Sequence, residues 1–309
     1  MVSSSVNALS TSGNSVIVGG NFQYVKFDTK NYLISYNTST GLVNTWDSKS
    51  NSSIYSVKVN GQTVYAGGNF SNIGNQTRNR LAALSLTTGN ASTWNPNMNG
   101  AVNSISFRDT LIYLGGDFTT VGNSNRPRAY ACAINTANGN LNPWNPTFNT
   151  SVNAILATSS NVVAGGSFEY AKFENRGYGA VIPDATGLIG TWDAKANSTI
   201  YDMSFSGTTL YLGGNFTTIN GQTRNRAAAY NTTNNTLLNW NPNLDGSVNW
   251  ISGDAGSVLV GGDFSNVGTA SRKYAAELNT TTGAATAWNP QLNNSTYVGL
   301  KRGTEITLG

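Results

Sequence analysis

The first candidates for chemistry in this sequence are six basic residues set at a fixed place in a repeated pattern. Lys30, Arg78, Arg126, Arg176, Arg224 and Arg272 each stand eight positions after the phenylalanine of a Gly-Gly-x-Phe motif. A guanidinium presents its N–H donors as a rigid fork, so it suits either a cluster of backbone carbonyls or an anion. Two roles follow. Each fork ties carbonyls of its own or the next repeat, or the set forms a cationic ring for an anionic polymer such as an acidic surface polysaccharide. Arg80, Arg128 and Arg226 would enlarge that ring. Recurrence in every copy favours the structural role, because a ligand site rarely needs six equal parts.

The aromatic candidates are those that break the pattern. Trp250 falls where the other copies carry Ala8, Ser56, Ser104, Ala154 and Asp202. It either plugs a central channel or offers a stacking platform to a ligand. Tyr24 and Phe27 recur as Tyr170 and Phe173 in a Tyr-x-Lys-Phe insertion shared by the first and fourth copies. These four residues either pack onto their own sheets or form two equivalent contact patches.

Other chemistry is narrowly bounded. There is no histidine, which removes Ser-His-Asp and Cys-His nucleophile systems and most zinc and copper sites. Glycoside hydrolysis needs only two carboxylates, but most of the 14 acids occupy motif or turn positions where another copy carries Asn or Ser. The arginines repeat with the copies instead of converging from dissimilar places. The reading is therefore non-enzymatic, with no catalytic residue, metal or cofactor. A net charge of +4 without Lys/Arg runs gives no phosphate-binding stripe, so nucleic acid is not an expected partner. No stretch approaches the roughly 18 apolar residues of a membrane span. The single cysteine, Cys132, lies in an apolar strand and reads as a buried structural thiol. Asn-x-Ser/Thr sequons such as those at Asn51, Asn90, Asn197 and Asn294 permit glycosylation, but so Asn-rich a chain carries them by chance.

The elements that must position these residues come from self-similarity. Gly-Gly-x-Phe begins at Gly19, Gly67, Gly115, Gly165, Gly213 and Gly261, and a Trp followed by Asp or Asn recurs in step at Trp46, Trp94, Trp144, Trp192, Trp240 and Trp288. Each copy reads as four short strands bounded by Gly, Asn or Pro. Four strands in about 48 residues, repeated, is the pattern of a propeller blade. The expectation is an all-β, six-bladed β-propeller of four-stranded antiparallel blades, with a seven-bladed or incomplete ring as the alternative. A single domain over 1–309 would hold copies at about 6–53, 54–101, 102–151, 152–199, 200–247 and 248–296. Copies one and four, two and five, and three and six match most closely, so three blades have been duplicated as a 146-residue unit. Residues 297–309 align with the first two strands of another copy and read as the start of a further repeat or as a tail. A tail strand without a partner is a point of self-assembly between molecules.

The apolar strand, Gly-Gly-[Asn/Asp]-Phe, Arg-containing loop, Thr-Gly and Trp-Asn-Pro together resemble the delta-sixty repeat, over nearly the whole chain. That family implies a propeller-forming unit of large secreted bacterial proteins, mostly without assigned activity. The blade is also similar to Kelch repeats, whose copper oxidases would need histidines that this chain lacks, and Thr88–Gly89 before Trp94 is similar to the tryptophan-docking motif of quinoprotein propellers. The resemblance, with an Asn/Thr/Ser-rich surface, implies an extracellular or cell-surface adhesion or assembly module. The alternatives are a carbohydrate-binding, lectin-like module and a polysaccharide-active enzyme.

Overall fold

The computed structural model describes every residue except 1, 26, 27, 45 and 184–186. The described residues are all-β, and no helix is long and apolar enough to cross a membrane. Two compact units divide the chain, one chiefly residues 1–147 and the other chiefly 148–308. Their boundary falls where the 146-residue duplication begins again.

Each copy is built on an antiparallel trio. In the first unit Val6–Ser12, Ile54–Asn60 and Val102–Arg108 pair with Ser15–Gly20, Thr63–Gly68 and Leu111–Gly116. Third strands Leu33–Asn37, Leu81–Ser85 and Ala131–Asn135 complete them. In the second unit Val152–Ala157, Ile200–Ser206 and Val248–Gly253 pair with Asn161–Gly166, Thr209–Gly214 and Ser257–Gly262. There the third strands are Gly179–Pro183, Ala227–Asn231 and Ala275–Asn279. Second strands such as Thr63–Gly68 are buried almost throughout, because sheets cover both faces, and they accordingly read as unbroken apolar runs. The six motif phenylalanines are fully buried.

The expectation of four strands in every blade is corrected. Among the described residues a fourth strand forms only at Leu42–Val43 and Thr236–Leu237, where β-formers line the outer edge. In the second, third and sixth copies it shrinks to one bridge, at Ala91, Leu141 and Ala285. Single bridges also mark the fourth copy, at Asp193.

The double glycine answers two crowding problems. Every first strand carries a bulge opposite it, between Val6 and Ala8 in the first copy and at the equivalent pairs elsewhere. The bulge drives a carbonyl toward the second glycine. A β-carbon on Gly20, Gly68, Gly116, Gly166, Gly214 or Gly262 would overlap the oxygen of Ser5, Ser53, Ala101, Ser151, Thr199 or Ser247. The first glycine faces the next copy instead. Gly19, Gly67, Gly165 and Gly213 press on Ile54, Val102, Ile200 and Val248.

Residues 297–309 follow the same rule. Gly299–Arg302 and Glu305–Leu308 form an antiparallel hairpin beside the sixth copy. Gly261 presses on Thr296 as Gly213 presses on Val248. The Asn249 side chain donates to Thr296 O (3.4 Å) as Asn153 donates to Ile200 O (3.2 Å). The hairpin thus meets the sixth copy through the contacts that join neighbouring copies elsewhere.

Gly214→Ala is expected to lower unfolding free energy by about 3 kcal/mol or more, since backbone must move to admit the methyl. Gly61→Ala, with positive φ but open space around it, should cost only about 1–2 kcal/mol. Urea unfolding followed by tryptophan fluorescence measures both.

Candidate functional site

The basic candidates resolve into one repeated device. Arg78 donates from Nη1 to Thr77 O (2.8 Å) and from Nη2 to Ser92 O (2.6 Å). Arg176 makes the same fork to Asn175 O and Gly190 O, Arg224 to Thr223 O and Leu238 O, and Arg272 to Ser271 O and Thr286 O. The second acceptor always lies two residues before the motif Trp. Each fork therefore pins the outer segment that delivers that Trp. The Nε of each is buried without a hydrogen-bond partner among the described residues, so these guanidinia face protein on most sides.

In the third copy the eight-residue rule selects the wrong arginine. Arg126 is exposed, on the two-residue strand Arg126–Pro127. Arg128 makes the fork, to Pro127 O (2.8 Å) and Asn142 O (3.0 Å). Its backbone N–H bonds Thr119 O just as that of Arg78 bonds Ser71 O. The cause is length: the loop between Thr120–Val121 and Arg126–Pro127 has four residues where the second copy has two, Gly74 and Asn75. Burial pulls the Arg128 pKa below the usual arginine value. In the first copy Lys30 holds the slot by its backbone, bonding Gln23 O (3.1 Å). Arg80 and Arg226 are also engaged, on the carbonyls of Asn69 and Asn215.

A second repeated device went unread in the sequence. The side-chain oxygens of Asn51, Asn99, Asn149, Asn197 and Asp245 each accept two successive backbone N–H groups just after the motif Phe, at 2.8–3.1 Å. Ser3 does the same for Gln23 and Tyr24. The signal was present, as a short polar residue five places after each Trp. At Asp245 burial opposes the charge, but the bonds from Asn266 and Ser265 outweigh it and hold the carboxyl below its ordinary pKa.

Trp250 is 3% exposed, and its surroundings are those of a packed anchor. Its Nε1 donates to Thr296 Oγ1 (2.9 Å), which in turn donates to Tyr274 O (2.8 Å). A β-carbon on Gly299 would run into the indole. Elsewhere that position holds a buried Val57, Ile105, Ile155, Met203 or Ile251. Gly299 leaves room, and Trp250 of the preceding copy fills it. A ring so enclosed is not an open stacking platform.

Charge completes the same junction. Lys301 Nζ reaches Asp254 (3.0 Å), Ser257 Oγ (2.9 Å) and Glu277 (3.4 Å). Glu277 stands where other copies carry Ser35, Ala83, Ala133, Val181 and Ala229. Burial raises the pKa of Asp254 and Glu277, yet hydrogen bonds, those from Lys301 among them, bring both below ordinary values. The bond to Asp254 raises that of Lys301.

The aromatic insertion is exposed. Tyr24 and Tyr170 are about half exposed, and Phe173 is 95% exposed. Phe27 lies outside the described residues. Lys172 and Phe173 form the two-residue loop of the hairpin Tyr170–Ala171/Glu174–Asn175, both with positive φ (45° and 69°). This is the geometry that glycine and asparagine supply in the second copy, at Gly74 and Asn75. A bulky aromatic there is strained, and its ring gains no packing in return. Cys132 is fully buried, and burial pushes its thiol pKa far up.

Arg128→Ala should lower stability by about 1–3 kcal/mol, leaving the Pro127 and Asn142 carbonyls short of donors, while Arg126→Ala leaves thermal unfolding unchanged. The Lys301 cluster sets a pH window for the terminal hairpin. Depressed carboxyl pKa values give stability that is present above the unfolded values, 3.8 and 4.5, and lost as pH falls through the folded ones. The raised Lys301 pKa gives stability that is present below 10.5 and lost as pH rises through the folded value. Amide exchange of residues 299–308 should accelerate, relative to the Thr209–Gly214 strand, below about pH 4 and above about pH 10.5.

Comparison with known proteins bears on the fold. A family model described as "Domain of unknown function (DUF5122) beta-propeller" matches residues 256–284. No curated protein matches the sequence. A chain of a crystal structure of the Mitotic Checkpoint Complex is similar at 11% identity and a TM-score of 0.64, covering 95% of this chain and 80% of that one. The computationally designed Ika8 protein is similar at 16% identity and a TM-score of 0.61, covering 99% and 80%. At these identities the likeness speaks to fold alone. The chain is a repeat protein with a β-propeller fold.

Proposed function

We propose that this chain is a non-enzymatic assembly or adhesion module of an extracellular or cell-surface protein, of the delta-sixty type. In this reading six whole blades and the first half of a further one belong to one ring. The observation that carries the reading is the Lys172–Phe173 loop. A strained backbone that holds a hydrophobic ring in water lowers stability, and such sites persist where the ring contacts a partner. The forked arginines speak against the alternative of a cationic ring, because both terminal nitrogens of each already donate to a carbonyl and its Nε is buried.

A second reading, carbohydrate binding, draws on the exposed rings of Tyr24 and Tyr170, flat faces of the kind that stack on sugars. A glycan array that includes acidic polysaccharides separates it from protein-mediated adhesion.

The double variant Lys172→Asn/Phe173→Gly should be about 1 kcal/mol more stable, through relief of the strained turn. Its co-sedimentation with envelopes of the cells that produce the protein should fall about tenfold or more, the loss of one anchoring aromatic contact. Unchanged co-sedimentation, with the melting temperature raised as expected, would remove the basis for an adhesive knob.

A further inference from the structure

Apart from Tyr297, the large apolar side chains that stand exposed among the described residues all lie in the first and fourth copies. They are Tyr24 and Leu42 in the one, and Tyr170, Phe173 and Leu188 in the other. Tyr24 and Tyr170 occupy equivalent places of the duplicated unit, and so do Leu42 and Leu188. The corresponding hairpin tips elsewhere are polar: Gly74–Asn75 in the second copy, Asn220–Gly221 in the fifth and Gly268–Thr269 in the sixth. The fold therefore does not call for an aromatic tip.

The fourth copy shows how its side chains are arranged from tip to base. Phe173 projects from the two-residue turn and, at 95% exposure, touches almost nothing of its own chain. Lys172 stands beside it and forms no ion pair among the described residues. The next residue, Glu174, is already paired with Arg176 (2.7 Å). Glu169, at the base, accepts the Tyr178 hydroxyl (3.2 Å). Tyr170, half-exposed, lies on the strand leading to the tip, opposite Asn175. The hairpin thus carries an apolar ring at its tip, an unpaired cation beside it and a phenol nearer its base. Tyr24, Lys26 and Phe27 repeat these types in the first copy, but the latter two lie outside the described residues, so the site is assigned to the fourth copy.

We propose that this hairpin is a membrane-surface anchor whose tip enters the interface of a lipid bilayer and favours anionic headgroups. The inference rests on the adhesion reading above and names the partner of the knob. A flat protein surface leaves most sides of so prominent a ring in water, whereas acyl chains enclose it completely. An apolar protein pocket would enclose it too, but would draw in the adjoining ammonium at a high desolvation cost. At a bilayer the lysine stem lies along the apolar boundary and its charge reaches up to the phosphates. A tyrosine nearer the base then stands at headgroup level, where its ring is apolar and its hydroxyl wet. One inserted ring and one cation give reversible attachment that depends on lipid composition.

The test uses the intact chain and vesicles of phosphatidylcholine, pure or mixed with phosphatidylglycerol. Expected is saturable co-sedimentation with the mixed vesicles, weakened about tenfold or more by Phe173→Gly and largely kept by Phe173→Leu. Lys172→Gln should weaken it about fivefold, and only where phosphatidylglycerol is present. Cys132 is buried, so a thiol-reactive dye placed on Asn175→Cys reports the hairpin alone. Its emission should shift to the blue on mixed vesicles. The same dye on Thr208→Cys, in the turn between Ile200–Ser206 and Thr209–Gly214, should not shift. No binding to either vesicle, binding that Phe173→Gly leaves unchanged, or no shift at position 175 overturns the anchor. If Phe173→Gly weakens attachment to cell envelopes while vesicles stay unbound, the partner is a protein or a glycan; the anchor falls and the adhesion reading stands. If vesicles are bound through Phe173 but envelope attachment ignores it, the adhesion reading falls and the anchor stands.

Discussion

The contact on which the rest of this structure depends is that between the second glycine of each copy and a carbonyl oxygen just before its own first strand. The bulge opposite the glycine pair brings that oxygen in, and no side chain larger than hydrogen fits beneath it. The close approach fixes where the second strand ends, and so where the buried phenylalanine two residues later must turn inward. A bond from the second glycine's N–H to the residue that opens the third strand's approach, as from Gly68 to Arg80 O (2.9 Å), then returns the chain. That returning residue takes a positive φ in all six copies, whether it is Tyr32, Arg80, Tyr130, Tyr178, Arg226 or Tyr274. Tyrosine and arginine are poor choices for such a backbone. The surrounding hydrogen bonds impose it upon them.

From this corner outward, side chains replace ladder bonds. The arginine fork and the asparagine clamp each join segments that sheet pairing leaves apart, one holding the approach to the tryptophan and the other the loop after the phenylalanine. Both use charged or strongly polar groups whose partners are backbone, an arrangement that satisfies buried N–H and C=O groups where no strand runs alongside. The core can then be assembled from apolar strand residues and the fully buried motif phenylalanine of each copy.

Much of this was legible in the sequence, because the repeat states each requirement six times. The glycine pair, the phenylalanine and the tryptophan announced crowded or buried places by residue type alone. Fourth strands were less legible: a two-residue edge such as Asn90–Ala91 carries too little β-preference to show whether it will pair. Arg126 was misplaced because counting along the chain assumes loops of constant length, and the third copy's hairpin loop is two residues longer. Trp250 and Gly299 could be understood only together. Each alone looks like an oddity, and their sizes compensate across a junction between copies that no single repeat displays.

The forks have a consequence for how such a chain changes over generations. Where one guanidinium holds the rim, the sequence of the rim is released from the register of a ladder, and substitutions there go largely unpunished. Loop length is released as well, since the hairpin before the arginine lengthens without moving its anchor. What descent preserves is therefore a place rather than a spacing. The outer edges of the copies can thus differ from one another while the anchored interior stays the same.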